Sequence, residues 1–131
     1  MNRNAKLLKG RGRSYGMMTE KEYKEKLDAF KNSCRVYKNE KKMLAEAEMK
    51  KTWFGDEQLH RFMKEDVEYV DGMFEKIGQK CGVNARLMLW MMFVDENTQA
   101  DVAFRFGLSR RQLQYSMNKW MRQVLEEGDD Q

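Results

Sequence analysis

The chain has 131 residues, enough for one compact domain or a small domain on a helical extension, but short for two independent cores. It contains no proline and nine glycines, and it is rich in methionine, lysine and glutamate, residues that favour helix over sheet. Twenty-five lysines and arginines against 21 acids give a formal net charge of +4. This composition predicts an all-α protein.

The cysteines and the apolar runs exclude several other classes. Cys34 and Cys81 are too few and too far apart for a disulfide framework or a zinc site. The longest apolar run, at 87–94, has eight residues, whereas about 20 are needed to cross a bilayer. The basic first residues lack the apolar segment of a signal peptide. We therefore expect a cytoplasmic protein with no membrane partner, no metal and no other cofactor.

The ends of the chain differ in charge from its middle. Residues 1–18 carry five basic side chains and no acid, and they show no apolar period, which predicts a flexible basic arm. The last six residues, 126–131, have the sequence EEGDDQ and form a predicted acidic tail. Residues 102–125 also carry five basic residues and no acid.

Residues 19–80 predict two long helices. Thr19 and Glu22 form a capping box before the first helix. Its apolar residues recur at spacings of four and three and form a narrow seam: Tyr23, Leu27, Phe30, Cys34 and Tyr37. Because so narrow a seam suits helix pairing, we expect an oligomerisation or docking segment and a homodimer. The second helix is expected to begin at the Asp56 cap and to end at Gly78 and the KCGVN segment, 80–84, with a wide apolar stripe of Leu59, Phe62, Met63, Val67, Tyr69, Val70, Met73, Phe74 and Ile77.

Residues 81–125 predict three more helices. Asn84 is a plausible cap for a helix that contains the 87–94 run and that, being apolar on nearly every side, should be central in a bundle. Two short helices follow, with expected capping boxes at Thr98 with Asp101 and at Ser109 with Gln112, joined at Gly107. This arrangement predicts a C-terminal helix-turn-helix on a helical bundle with a longer N-terminal helical extension.

The last helix has two distinct faces. Leu113, Met117, Trp120, Met121 and Val124 share its predicted buried face. The opposite face is polar and basic, which suits the DNA major groove. Candidate base contacts are Arg110, Arg111, Gln112, Gln114 and Tyr115, and candidate phosphate contacts are Asn118, Lys119 and Arg122, with Thr98, Gln99 and Ser109 at the two helix starts.

Residues 84–125 resemble the C-terminal, promoter −35-reading domain of bacterial sigma factors and related phage and mobile-element regulators. The resemblance lies in the positions Thr98, Gln99, Val102, Ala103, Gly107, Leu108, Ser109 and Leu113. It implies a sequence-specific transcriptional regulator whose partner is double-stranded DNA, with RNA polymerase or another host protein as a further partner. Phe104 stands where that family usually has a charged residue. We expect it to pack against the long N-terminal helices, and the alternative is an exposed contact with a partner protein.

Two alternatives keep the all-α fold. The helix-turn-helix could dock on a host nucleic-acid machine, such as RNA polymerase or a defence nuclease, since the 12 methionines would suit an adaptable surface. The chain could also be a small terminase-like DNA-packaging subunit. His60 has no second ligand or nucleophile nearby in the sequence, and no catalytic constellation is present, so we do not expect an enzyme.

Overall fold

The computed structural model describes residues 18–53 and 55–126, which form helices joined by short turns and contain no strand. The five helices of this part are α1 (Glu20–Lys50), α2 (Glu57–Cys81), α3 (Val83–Phe93), α4 (Gln99–Arg105) and α5 (Arg110–Glu126). The predicted all-α bundle is therefore confirmed. The predicted arm, 1–18, and the predicted tail, 126–131, lie outside the described residues except for Met18 and Glu126.

Helices α1 and α2 form a long antiparallel hairpin. The α1 helix begins at the predicted capping box, in which Glu22 N donates to Thr19 Oγ1 and Thr19 N donates to Glu22 Oε1. It ends at Lys51, a left-handed residue with φ of 53° that returns the chain toward α2. Asp56 caps α2 as predicted, because its carboxylate accepts from Gln58 N.

The junction between α2 and α3 lies within the predicted stretch, but its cap differs from the prediction. Gly78 and the KCGVN segment at 80–84 were expected to end α2, and the helix continues through Gly78 and ends at Cys81, inside that segment. The break comes at Gly82, whose φ of 104° and ψ of 165° are adopted essentially only by glycine. Gly82 itself precedes α3, and Asn84 lies inside the helix, so the prediction of Asn84 as the cap is wrong.

The core is shared by all five helices. The α3 helix contacts each of the other four, as expected for a central helix. The predicted α1 seam from Tyr23 to Tyr37 is buried inside this core. Its Phe30 ring lies 5.5 Å from that of Phe74 on α2 and 5.9 Å from that of Phe93 on α3. This seam is therefore occupied within one chain and is not a free face for a partner.

Part of the predicted α2 stripe is exposed. Met63, Val67, Val70, Met73, Phe74 and Ile77 are buried, whereas Leu59, Phe62 and Tyr69 are exposed. The contacts of α3 and α5 with α2 leave these three side chains uncovered, so their expected burial is wrong. Among the described residues, no helix is both long and apolar enough to span a bilayer.

Candidate nucleic-acid interface

The turn between α4 and α5 is set by backbone hydrogen bonds around Gly107. Gly107 has a φ of 70°, and its N donates to Phe104 O at 3.3 Å. Leu108 N donates to Ala103 O at 2.9 Å. This pair of bonds is the Schellman arrangement, which ends a helix through one left-handed residue. The positive φ expected at Gly107 is confirmed, and it fixes the direction in which α5 leaves α4.

The start of α5 is fixed by Ser109 and Gln112. Gln112 N donates to Ser109 Oγ at 3.0 Å, and Ser109 N donates to Gln112 Oε1 at 2.9 Å. The predicted capping box is confirmed. These bonds use the Gln112 carbonyl oxygen, so its side-chain amide NH₂ keeps its donors. At α4 only half of the expected box forms, because Asp101 N donates to Thr98 Oγ1 while the Asp101 carboxylate pairs with Arg105 at 3.4 Å.

One face of α5 is anchored in the core. Leu113, Met117, Met121, Val124 and Leu125 are buried, and Trp120 is partly buried. This agrees with the predicted buried face, to which the structure adds Leu125. Because side chains of the core hold this face, the opposite face of the helix has a fixed orientation.

The part of α5 from Arg110 to Lys119 presents polar and basic side chains to solvent. Arg110, Arg111, Gln114, Tyr115 and Lys119 are exposed, and none of them forms an ion pair or side-chain hydrogen bond with another described residue. Tyr115 is 72 % exposed. Since α5 contains no acid before Glu126, this surface is uniformly cationic or neutral. We refer to these five residues as the α5 polar face.

Asn118 and Arg122 have a different environment from the α5 polar face. The Tyr23 hydroxyl on α1 donates to Asn118 Oδ1 at 2.7 Å. The Arg122 guanidinium lies 4.2 Å from the centre of the Tyr23 ring and forms an ion pair with Glu20. Burial raises the pKa of Tyr23 to about 12, so its hydroxyl stays protonated and remains a donor. These two predicted phosphate contacts therefore join α5 to the start of α1.

Two further candidates, Thr98 and Gln99, lie at the start of α4. Thr98 is exposed and caps the helix, and Gln99 is partly buried. The first backbone N–H groups of α4 point out of the start of the helix, the arrangement that binds phosphate at other helix starts. Arg105, at the other end of α4, is exposed and pairs with Asp101; it was not predicted as a contact residue.

Phe104 disagrees with its prediction. Its side chain is 85 % exposed instead of packing on the N-terminal helices. The two buried residues before it, Val102 and Ala103, face the core, and the next position along a helix turns about 100° away from them. Phe104 therefore projects from the solvent side of α4.

Sequence reasoning missed Tyr23 as a residue that positions α5. Its apolar spacing identified it only as a member of the core seam, and its hydroxyl reaches a side chain 95 residues away. No local pattern encodes such a pairing. His60, the only histidine, stacks on Trp53 with ring centres 4.6 Å apart. In the described part of the chain, no three His, Cys, Asp or Glu side chains cluster as a metal site would require.

Comparison with known proteins adds no identification. No protein-family model, no curated protein and no solved structure matches this chain.

Proposed function

We propose that the protein is a sequence-specific DNA-binding regulator in which α4 and α5 act as a helix-turn-helix and the α5 polar face reads the major groove. The observation that carries this proposal is the α5 polar face itself: five unengaged polar or basic side chains, of which Arg111, Tyr115 and Lys119 lie on the side of the helix opposite its buried residues. A helix fits the major groove, and such side chains hydrogen-bond to base edges there.

Two residues have distinct roles in this proposal. Arg111 lies in the first turn of α5, the part of a recognition helix that usually reaches the bases, and its guanidinium can donate twice to guanine. Lys119 lies two turns further along and is exposed, so we assign it to phosphate. Tyr115, between them on the same face, can contact a base or the sugar.

The engaged pair, Asn118 and Arg122, is assigned a positioning role in place of a direct phosphate contact. Both side chains already bind α1 through Tyr23 and Glu20. Breaking these contacts for phosphate would cost their existing hydrogen bonds. The α5 polar face then comprises the residues nearer the Ser109 cap together with Lys119.

Selection from a random pool of duplex DNA tests this function directly. The purified chain should enrich a defined sequence, and its affinity for that sequence should fall steeply with salt, because phosphate contacts release counterions. Lys64→Ala, which removes an exposed cation on α2 outside the α5 polar face, should leave the affinity unchanged. The proposal would be contradicted if no sequence were enriched and if the affinity for DNA were weak and independent of salt concentration.

A second candidate function is supported by Phe104. An aromatic side chain that is 85 % exposed beside a basic helix suits a protein partner better than a phosphate backbone. In this alternative, the same α4–α5 surface docks on a nucleic-acid machine of the host. Phe104→Ala separates the two functions: it should leave the affinity for selected DNA unchanged but weaken a protein complex.

A further inference from the structure

A groove lies where the end of α5 meets the α1–α2 hairpin. We call it the α1–α2 groove; it has a volume of about 480 Å³, and its lining includes Lys26, Ala29, Tyr69, Gly72, Lys76 and Leu125. Ala29 and Gly72 are small and exposed, so the space between the two long helices stays open there. Tyr69 in the same lining is 42 % exposed. The groove is therefore a cleft that no described residue fills.

Gly72 is an unexpected residue in this lining because it lies in the interior of α2. Glycine destabilises a helix interior relative to alanine. A Cβ added at Gly72 meets no described atom within 4 Å, so packing among the described residues does not require a glycine. A chain segment that approached α2 closely in this groove would require one, because a Cβ would take the space that the segment needs. Gly72 therefore points to an occupant of the groove.

We propose that residues 127–131, the part of the acidic tail that follows α5, dock on the α1–α2 groove of the same chain. The chain leaves α5 beside this groove, because Leu125, next to the last residue of the helix, lines it. The α5 helix arrives at the Lys76 end of the groove, since Gln123 lies 3.9 Å from the thiol of Cys81, just beyond Lys76 on α2. The segment therefore begins at one end of the groove.

The groove has a basic end and an acidic end. Lys76 lies at the end where α5 arrives. Lys26 lies at the same end, because the hairpin is antiparallel and Phe30, one turn after Lys26, packs on Phe74. Glu68 lies at the other end, about 12 Å further along α2. Five extended residues span at most about 17 Å, so the segment can cover this length.

The charges of the segment suit the basic end. Residues 127–131 carry three acids: Glu127, Asp129 and Asp130. Lys26 and Lys76 attract these carboxylates, whereas Glu68 repels them, so we place the carboxylates beside the two lysines. The predicted basic arm, residues 1–18, is a poorer occupant, because the same lysines would repel its five cations. Charge therefore favours the acidic segment over the basic one.

Docking on the groove would keep the acids of the tail away from the α5 polar face. Val124 also lines the groove, and it lies nine positions after Tyr115, which places the two side chains on opposite sides of α5. The groove and the α5 polar face share no residue, so this proposal does not depend on the proposed function. A docked segment in a protein without DNA affinity would support this proposal alone.

Carbodiimide coupling tests the docking directly, because it joins a carboxylate to a lysine amine only when the two are in contact. Peptide mass spectrometry of the coupled full chain should show links from residues 127–131 to Lys26 or Lys76. Lys64, on α2 but in the lining of a different groove, is the control and should not be linked. Links from this segment only to other lysines, links between two copies of the chain, or no links would each overturn the proposal.

Gly72→Gln tests the floor of the groove. Glutamine is an uncharged, good helix former, and its side chain would occupy the open space beside Gly72. The links to Lys26 and Lys76 should be lost, while the helix content measured by circular dichroism should not change. Glu65→Gln, at an exposed position of α2 outside the groove, is the control and should keep the links. Unchanged links in Gly72→Gln would contradict docking on this floor.

Thermal unfolding at low salt tests the pairing of charges. A neutral segment, made by Glu127→Gln, Asp129→Asn and Asp130→Asn together, should lower the melting temperature by about 2–5 °C, as the loss of two exposed ion pairs implies. The same three changes should lower it less in a chain that already carries Lys26→Gln and Lys76→Gln, because those ion pairs are then absent. Equal losses in the two chains would overturn the assignment of these lysines as partners of the segment.

Discussion

The hydroxyl of Tyr23, near the start of α1, donates a hydrogen bond to Asn118 Oδ1 in the middle of α5. Arg122, one turn beyond Asn118, stacks on the same ring at 4.2 Å. The first helix of the chain therefore holds the last one at the level of its polar face. This contact has consequences for stability that can be measured.

Tyr23→Phe should lower the free energy of unfolding by about 1 kcal/mol, because it removes the hydrogen bond and leaves Asn118 Oδ1 without its protein donor. The phenylalanine ring keeps the contact with the Arg122 guanidinium, so the change isolates the hydroxyl. Tyr115→Phe is the control and should have no effect, since that side chain is 72 % exposed. Chemical denaturation measures both. Equal stability of the two variants would show that the Tyr23 hydrogen bond is not stabilising.

The loss of stability on substitution of Gly107 should depend on how readily the new residue adopts a positive φ, and not on the size of its side chain. A Cβ added there meets no atom within 4 Å, so the space is open. Gly107→Asn should be the mildest change, Gly107→Ala should cost about 1 kcal/mol, and Gly107→Val should cost more, because a β-branched residue adopts φ of 70° least readily. Thermal unfolding gives the order. If alanine and valine cost the same as asparagine, the turn tolerates another conformation.

Glu40 should make stability depend on pH. Burial, reinforced by Asp66, raises its pKa from 4.5 to about 8. Between about pH 4.5 and pH 8, the Glu40 carboxyl is deprotonated in the unfolded chain but still protonated in the folded protein. The free energy of unfolding therefore falls as the pH rises through this range. The stability that the protonated Glu40 contributes is fully lost above about pH 8.

Glu40→Gln removes this titration. We compare the free energy of unfolding of Glu40→Gln with that of the wild type at two pH values. The difference, variant minus wild type, should be larger at pH 8 than at pH 5 by about 1–3 kcal/mol. Glu48→Gln, at an exposed position of the same helix, should not alter the pH profile. A wild-type profile in Glu40→Gln would show that this carboxyl is not responsible.

Deletion of residues 2–16 tests the predicted basic arm. The deletion removes five basic residues that precede the α1 helix. Each phosphate contact that it removes should make the slope of log affinity against log salt shallower by about 0.9. The melting temperature should not change. An unchanged salt slope would mean that the segment does not contact DNA.

Local sequence signals predicted the helix ends well where side chains satisfy the backbone. The capping boxes at Thr19 and Ser109 are confirmed, and each joins residues only three positions apart. The left-handed conformation of Gly107 is also confirmed, and it depends on a single backbone angle. The end of α2 was predicted only as the stretch from Gly78 through the KCGVN segment, because two glycines lie close together there. Gly78 is accommodated within the helix, and only the backbone at Gly82 requires a conformation that other residues avoid.

Tertiary relationships were predicted less well. The pattern of apolar residues on α2 identifies which side chains share a face, but not how much of that face α3 and α5 cover. Phe62 was therefore expected to be buried and is exposed. Phe104 on α4 was expected to pack on the N-terminal helices, but no local pattern shows which side of so short a helix they cover, and it too is exposed. For the candidate site, the face of α5 followed from helical period alone. The contacts of Asn118 and Arg122 with α1 could not be predicted in this way, because they depend on the packing of helices at opposite ends of the chain.

The most direct test of the proposed DNA recognition compares Arg111→Ala and Lys119→Ala on the selected sequence and on random duplex DNA at the same salt concentration. Arg111→Ala should weaken specific binding by about 1–3 kcal/mol more than nonspecific binding and relax selectivity at one base pair. Lys119→Ala should weaken binding to both DNAs alike. Equal losses on both duplexes for Arg111→Ala, or no loss for either variant, would contradict the assignment of α5 to DNA recognition.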